Sequence, residues 1–395
     1  MRIAMAGQTY DARINGQGVF TLHLAEGLAR RGHPVMMFMP SDQRRAYTAL
    51  SRGVQIQAIR AISLAPLYRH VSVTPLPGRQ VGPLLDQFQA EIVHIQDHYP
   101  LCRGVLSAAR RRDLPVIGTN HFLPENMAPY VPFSRCCRAS VDRLLWRTVL
   151  DVLNRVSWVT TPTETAAAIL LGQQIQVPVQ AISCGVDLDG FFPDVRVDRS
   201  QMRRRYGLDP GRTLFLYVGR LDREKRIDVL IHAFHRLSRE DLQLAIAGRG
   251  RHGRALRGLA ERLGLRRRVV FTGFVPDEDL PGLLNSVDVF AMPSEAELQS
   301  IATLEAMATG RPVLAADARA LPELVENNVN GYLFRAGDVE DASRRIVQLA
   351  DQKECWARMG EASLATARRH RLESTLRSYE ALYRRVMRLH KAIPG

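Results

Sequence analysis

Residues 1–40 read MRIAMAGQTYDARINGQGVFTLHLAEGLARRGHPVMMFMP. A short apolar run begins at Ile3, a helical pattern occupies residues 18–31, and a second apolar run begins at Val35. So long a connection between two strands implies that they are parallel, because antiparallel neighbours need only a short turn. The alternation continues through apolar runs starting near Ile92, Val116, Trp158 and Val179. Parallel sheets carry helices on both faces, so residues 1–190 predict one α/β domain.

The pattern breaks at residues 187–200, which hold Gly190, Phe191-Phe192-Pro193 and mixed charge without a period. Alternation then restarts. Strands are predicted at 213–218, 243–247, 269–271, 287–291, 312–315 and 332–334, with helices between them and only helices from 338 to 391. A second α/β domain is therefore expected over 198–375, followed by a helix over 376–395 that packs back toward the first domain. A length of 395 residues suits two domains. Ligands of open α/β sheets bind at the carboxyl ends of the strands, so the expected site is the cleft between the two halves.

Charge narrows the function classes. There are 54 Lys+Arg against 40 Asp+Glu, a net charge of +14, and only Lys225, Lys353 and Lys391 are lysines. Such a balance excludes an acidic tail and leaves nucleic acid, an anionic membrane or a phosphorylated substrate as partners. Aromatic residues make up 7% of the chain, and the arginine clusters at 110–112, 203–205 and 266–268 read as helix ends and turns. Without aromatic–basic interleaving, no nucleic-acid partner is expected. No run of 18 apolar residues predicts a transmembrane helix, and the apolar amino-terminal run is too short for a signal peptide. Five cysteines with no C-x-x-C pair predict neither a disulfide framework nor a zinc site, which suits a reducing cytoplasm. Adjacent Cys136 and Cys137 read as ordinary small side chains.

Four constellations could carry chemistry. In Pro293-Ser294-Glu295-Ala296-Glu297-Leu298-Gln299-Ser300-Ile301, a strand ends in a polar loop and a helix begins near Ile301. The first amides of such a helix are free donors, and its dipole favours an anion. Glu297 before the helix and Glu305 within it then flank an anion site, an arrangement suited to gripping sugar hydroxyls. The second, Gly219-Arg220-Leu221-Asp222-Arg223-Glu224-Lys225, directly follows an apolar strand. Glycine lets backbone approach a ligand, and Arg220 and Lys225 could neutralise a diphosphate leaving group without a metal.

The third constellation is the loop at 7–18, where Gly16 and Gly18 lack the G-x-G-x-x-G spacing of a nicotinamide dinucleotide site. The fourth joins two strand ends, Val93-His94-Ile95-Gln96-Asp97-His98 and Gly118-Thr119-Asn120-His121. His98, Asn120 and His121 are the candidate acceptor-binding residues.

Taken together, these motifs resemble family 4 of the retaining, nucleotide-sugar-dependent glycosyltransferases. The resemblance rests on Glu297-x7-Glu305, Gly219-Arg220-x4-Lys225, Gly185-Val186-Asp187, Phe271-Thr272-Gly273-Phe274-Val275 and Gly310-Arg311-Pro312-Val313. It implies the GT-B fold, two Rossmann-like domains with parallel sheets facing across a cleft. It also implies that Arg220 and Lys225 bind the donor diphosphate, Glu305 the ribose, and Glu297 the donor sugar. The backbone of Ser300 and Ile301 would cap the distal phosphate, and Phe274 and Val275 would touch the base. Gly16, Gly18 and Gly219 would border the diphosphate, with His121 beside the sugar as a catalytic residue together with Glu297, Arg220 and Lys225. No metal and no cofactor beyond the nucleotide sugar are implied. Asp187-Leu188-Asp189 has a metal-binding D-x-D form but falls in the structural Gly-Val-Asp element.

Leu298-Gln299-Ser300 replaces the family's usual Gly-Phe-Gly, and Arg319-Ala320 its frequent Gly-Gly. Gln299 is similar to the residue at that position in the membrane-associated diacylglycerol glucosyltransferases. The expected reaction is front-face transfer of glucose from UDP-glucose, the departing phosphate taking the acceptor proton. The expected acceptor is a lipid such as diacylglycerol, the protein lying peripherally on the inner face of the plasma membrane. Phosphatidylinositol mannosylation, a soluble sugar acceptor and a nucleotide-sugar epimerase are the alternatives. Residues 134–155 read as a helix lying in the interface of an anionic membrane, or else as a core-facing helix of the first domain, with Val141, Leu144, Leu145, Val149 and Val152 on one face and Arg138, Arg143 and Arg147 elsewhere.

Overall fold

The computed structural model describes residues 1–8, 16–43, 45–63, 72–74, 77–124 and 138–392. It divides into two compact units, Met1–Cys184 with Glu373–Gly395, and Gly185–Leu372.

The first unit contains β1 (Ile3–Ala6), α1 (Gly16–Arg30), β2 (Val35–Pro40), β3 (Tyr47–Ser51), β4 (Val54–Ile59) and the short pair β5 (Ile62–Ser63) and β6 (Ser72–Val73). Then come α2 (Pro77–Phe88), β7 (Ile92–Ile95), α3 (Pro100–Arg110), β8 (Val116–Thr119), α4 (Arg138–Leu153), β9 (Trp158–Thr161), α5 (Glu164–Leu171) and β10 (Val179–Ala181). Eight strands form one sheet in the order β10-β9-β8-β7-β1-β2-β4-β3. All neighbours are parallel except β3 and β4. That hairpin was not expected from the sequence. Arg52 and Gly53 both have positive φ, 47° and 82°, the geometry of a two-residue primed turn. Both strands are short and β3 is half exposed, so the apolar signal is weak.

The second unit contains α6 (Arg199–Arg205), β11 (Thr213–Val218), α7 (Ile227–Arg236), β12 (Leu242–Ala247), α8 (Gly253–Arg262), β13 (Val269–Gly273), α9 (Leu280–Ser286) and β14 (Val289–Met292). It continues with α10 (Ile301–Ala308), β15 (Val313–Asp317), β16 (Gly331–Arg335), α11 (Val339–Asp351) and α12 (Trp356–Arg369). Its six strands are all parallel, ordered β13-β12-β11-β14-β15-β16. Leu214, Phe215, Leu216 and Tyr217 of β11 are all fully buried, as a central parallel strand requires.

The final helix, α13 (Leu372–Ala392), belongs with the first unit. Its Leu376 occupies the space that a side chain on Gly27 of α1 would need, with a built Cβ only 2.6 Å away. Glu380 accepts from Arg31 at 2.8 and 3.0 Å and lies 2.9 Å from His33. These partners, Arg31 first, hold the Glu380 carboxyl down at about 2.

Candidate active site

In each sheet one strand has its sequence neighbour on one side and a later strand on the other. In the second unit this strand is β11, between β12 and β14; in the first it is β1, between β2 and β7. At such a reversal the connections leave on opposite faces and open a crevice beyond the strand ends.

Beyond β11 the chain turns at Gly219, whose φ is +154°. A Cβ there would meet the Tyr217 hydroxyl at 2.7 Å. That hydroxyl donates to the Arg220 carbonyl at 2.8 Å. Gly248, after β12, is also obligatory, since a Cβ would lie 1.9 Å from the Gly219 carbonyl oxygen. Two bare backbones are thus pressed together at the rim of the crevice.

The two sequence motifs meet here. Lys225 Nζ, after β11, lies 2.5 Å from Glu297 Oε1, after β14. Both side chains are mostly buried, 16% and 11% exposed. Arg220 is held by Asp222 and, at 2.8 Å, by Glu224. Arg226 pairs with Glu295, fastening the same two loops a second time. Asp222, Glu224 and Glu295 were not singled out from the sequence. Asp222 and Glu224 lie two and four residues after Arg220, so their charge sign was a usable signal.

Ser300 caps α10, its hydroxyl accepting from the Thr303 amide at 3.3 Å. Ile301 opens that helix, and Glu305 lies past its first turn, half-buried. Burial raises the Glu305 carboxyl to about 8, with Asp277 and Asp187 adding repulsion. Phe274 is 38% exposed beneath the Arg249 guanidinium, 5.8 Å from its ring centre, and Val275 is buried. Asp187 accepts from the Asp189 amide at 3.0 Å, closing a local turn. Among the described residues no group of three or more His, Cys, Asp or Glu side chains is placed to hold a metal.

In the first unit, the ends of β1, β7 and β8 gather a polar cluster. Asp97 accepts from the Gln8 amide at 2.6 Å and the Tyr99 amide at 3.0 Å. Gln17 donates to the Gln96 carbonyl at 3.1 Å, tying the start of α1 to β7. Gly16 and Gly18 lie in this first turn of α1; residues 9–15 of the expected closing loop lie outside the described residues.

His121 Nε2 lies 3.3 Å from Gln96 Oε1, and its ring is 4.9 Å from that of Phe20. Burial lowers His121 to about 3, so the imidazole is neutral. His98 packs 4.6 Å from Tyr99 and 5.0 Å from Phe122 and is lowered to about 4, by burial and then by Arg103. Asn120 spends its side chain locally, accepting from the Phe122 amide at 3.1 Å and donating to the Phe122 carbonyl at 3.3 Å.

His94 lies in the fourth constellation but was not among the candidate site residues. It is fully buried, 2.8 Å from the Tyr383 hydroxyl and 2.6 Å from Thr119 Oγ1. Thr119, Thr160 and Tyr379 extend this chain at 2.7 and 3.1 Å.

The expected single apolar face of α4 is divided. Val149 and Val152 are buried, Val141 and Leu145 are half-buried, and Leu144 is 61% exposed between exposed Arg143 and Arg147. Residues 134–137, including Cys136 and Cys137, lie outside the described residues. Among the described residues, no helix is long and apolar enough to cross a membrane.

Two family descriptions match the chain, "Glycosyltransferase Family 4" over residues 14–190 and "Glycosyl transferases group 1" over residues 198–365. Over 341 residues the chain is 26% identical to the alpha-monoglucosyldiacylglycerol synthase of Streptococcus pneumoniae, covering 85% of this chain and 75% of that one. It is 29% identical over 350 residues to a D-inositol 3-phosphate glycosyltransferase of a Mycobacterium species, covering 85% and 77%. Among solved structures, Anabaena HepE in complex with UDP-glucose superposes with a TM-score of 0.78 at 18% identity, covering 97% of this chain and 99% of that one. With both family matches in chain order and two parallel-sheet units beneath them, the chain belongs to the family 4 glycosyltransferases and has the GT-B fold.

Proposed function

We propose that the protein transfers glucose from UDP-glucose, with retention and without a metal ion, to a lipid hydroxyl of the diacylglycerol class at an anionic membrane. The observation that carries the donor half is the pairing of Lys225 with Glu297 at the β11–β14 reversal, beside Arg220 held by Asp222 and Glu224. Two fixed cations supply the charge that a departing diphosphate needs, and charge-assisted hydrogen bonds contribute about 1.5–3 kcal/mol each. Glu305 has no donor among the described residues, which suits a carboxylate that takes up ribose hydroxyls. Glu297, paired with Lys225, would accept from the sugar. Phe274 offers a half-exposed ring to a base.

In this reading the acceptor hydroxyl attacks on the face from which the diphosphate leaves. The C1–O bond to phosphate breaks as the new C1–O bond forms, and a phosphate oxygen takes the acceptor proton. The side chains position the reactants and stabilise the leaving charge. The lipid acceptor and an inner-membrane-face location rest on the S. pneumoniae relative's name and on α4, where Leu144 stands exposed between two arginines.

The test is transfer from a panel of nucleotide sugars to diacylglycerol in vesicles with and without anionic lipid. UDP-glucose turnover that rises with anionic lipid and survives EDTA, giving an α-linked product, is expected. Turnover only with a soluble acceptor would overturn the lipid reading, and loss of turnover in EDTA the metal-free one.

A further inference from the structure

A second concave site lies in the carboxyl-terminal unit, at the opposite end of β11 from Gly219. It is a cavity of about 330 Å³ at Thr213, the first residue of the strand. The crevice residues begin after Val218, five residues on, which at ~3.3 Å per residue is roughly 17 Å away. Four cations line the cavity, Arg199, Arg203, Arg212 and Lys353, against one acid, Asp288.

That acid is already neutralised. Asp288 accepts from Arg203 at 2.9 Å and from the Leu214 amide at 2.8 Å, and it pairs with Arg199. Arg203 is buried and also bonds the carbonyls of Ser286, Pro210 and Arg212, so it acts as fixed scaffold. Arg212 reaches Asp209 through Nε at 3.1 Å and the Arg267 carbonyl through Nη1 at 3.2 Å. Asp241 and Asp351 are both bridged by Arg239. Arg199 Nη1, Arg212 Nη2 and Lys353 Nζ have no hydrogen-bond partner among the described residues, and Lys353 Nζ lies over the Trp356 ring, 5.9 Å from its centre. Behind the cavity Arg311 is lowered to about 10, by burial first and then by Arg199 and Arg203. Asp288 opposes this shift in part.

We infer that this cavity binds a small organic phosphate monoester, at a site separate from the donor crevice. Arg199, Arg212 and Lys353 offer donors to the phosphoryl oxygens. The cavity exceeds a bare phosphate ion, and Trp356 supplies a flat apolar wall for the organic part. The inference is independent of which sugar or acceptor the enzyme uses.

The test is calorimetric titration of the full chain, saturated with UDP to occupy the donor crevice, using glucose 6-phosphate, inorganic phosphate and glucose. Glucose 6-phosphate should bind with one-to-one stoichiometry, at least tenfold more tightly than inorganic phosphate, and glucose should not bind. Lys353→Gln, a surface change, should weaken binding at least fivefold, and Arg212→Gln with Lys353→Gln should abolish it. Transfer activity without the phosphate should be unchanged in both variants. No glucose 6-phosphate binding at millimolar concentration, or equal binding to the double variant with an unchanged melting temperature, overturns the inference.

Discussion

Lys225 Nζ and Glu297 Oε1 are 2.5 Å apart although 72 residues separate them in sequence. The pair joins the loop after β11 to the loop after β14 and leaves Lys225 neutralised by the protein itself. If the crevice takes the donor diphosphate as proposed, the diphosphate must compete with Glu297 for this ammonium. Lys225→Ala should therefore lower turnover about 10–150-fold, the loss of one charge-assisted contact. Glu297→Gln should separate binding from transfer. UDP affinity should hold or rise, because a nearby negative charge is gone, while turnover falls at least tenfold. Calorimetry with UDP and a transfer assay check both; weaker UDP binding in Glu297→Gln would remove Glu297 from its assigned place.

Glu305 yields a prediction with a definite sign. Its carboxyl ionises at about 8 in the folded chain, against an ordinary 4.5. Between these values the native protein holds a proton that the unfolded chain has lost, so stability falls as pH rises from 4.5 to 8 and levels off above. Glu305→Gln lacks this titration. Its melting temperature should gain on the wild type steadily from pH 5 to pH 8, each ~1 kcal/mol appearing as about 2–4 °C. If ribose hydroxyls bind the ionised carboxylate, UDP binding at pH 7 should release a proton. Calorimetry in buffers of different ionisation enthalpy would detect it in the wild type and not in the variant.

The carboxyl-terminal helix should depend on Glu380. Its carboxyl, held at about 2 by Arg31 and then His33, contributes stability that is full above its ordinary value of 4.5 and is lost as pH falls toward 2. Glu380→Gln should cost roughly 1.5–3 kcal/mol at pH 7. The cost should shrink toward pH 2, as read by denaturant unfolding. A constant difference across that window would show that packing, not charge, is what the substitution removes.

Much of this arrangement was legible in the chain. Buried parallel strands need continuous β-branched and apolar runs, so β1, β2, β7, β8 and β11 announced themselves. The β3–β4 hairpin did not, because a half-exposed strand such as Tyr47–Ser51 alternates too briefly to stand out. The site motifs were visible as clusters of charge after strand ends. Their pairing was not, since Lys225 and Glu297 become neighbours only when β14 lies beside β11. His94 was passed over for a similar reason. Its partners, Thr119 and Tyr383, lie 25 and 289 residues away, and no local period links them. The +14 charge also divides on inspection. Arg203 and Arg311 bond backbone carbonyls inside the fold, whereas Arg220 and Lys225 face the crevice loops.

His121 supplies the last test. A histidine beside a sugar site invites a role as a general acid or base, which would need ionisation near neutral pH. Burial instead sets this imidazole at about 3. It is neutral throughout the working range and can act only by hydrogen bonding and by contact through its ring against Phe20. The pH profile of turnover should therefore carry no inflection from His121 between pH 5 and 8. His121→Asn keeps a neutral polar group and should retain part of the activity with the same profile, whereas His121→Ala should lose at least tenfold. A profile that loses an inflection near pH 6.5 when His121 is replaced would show that the imidazole titrates in the working enzyme, and the neutral assignment would fall.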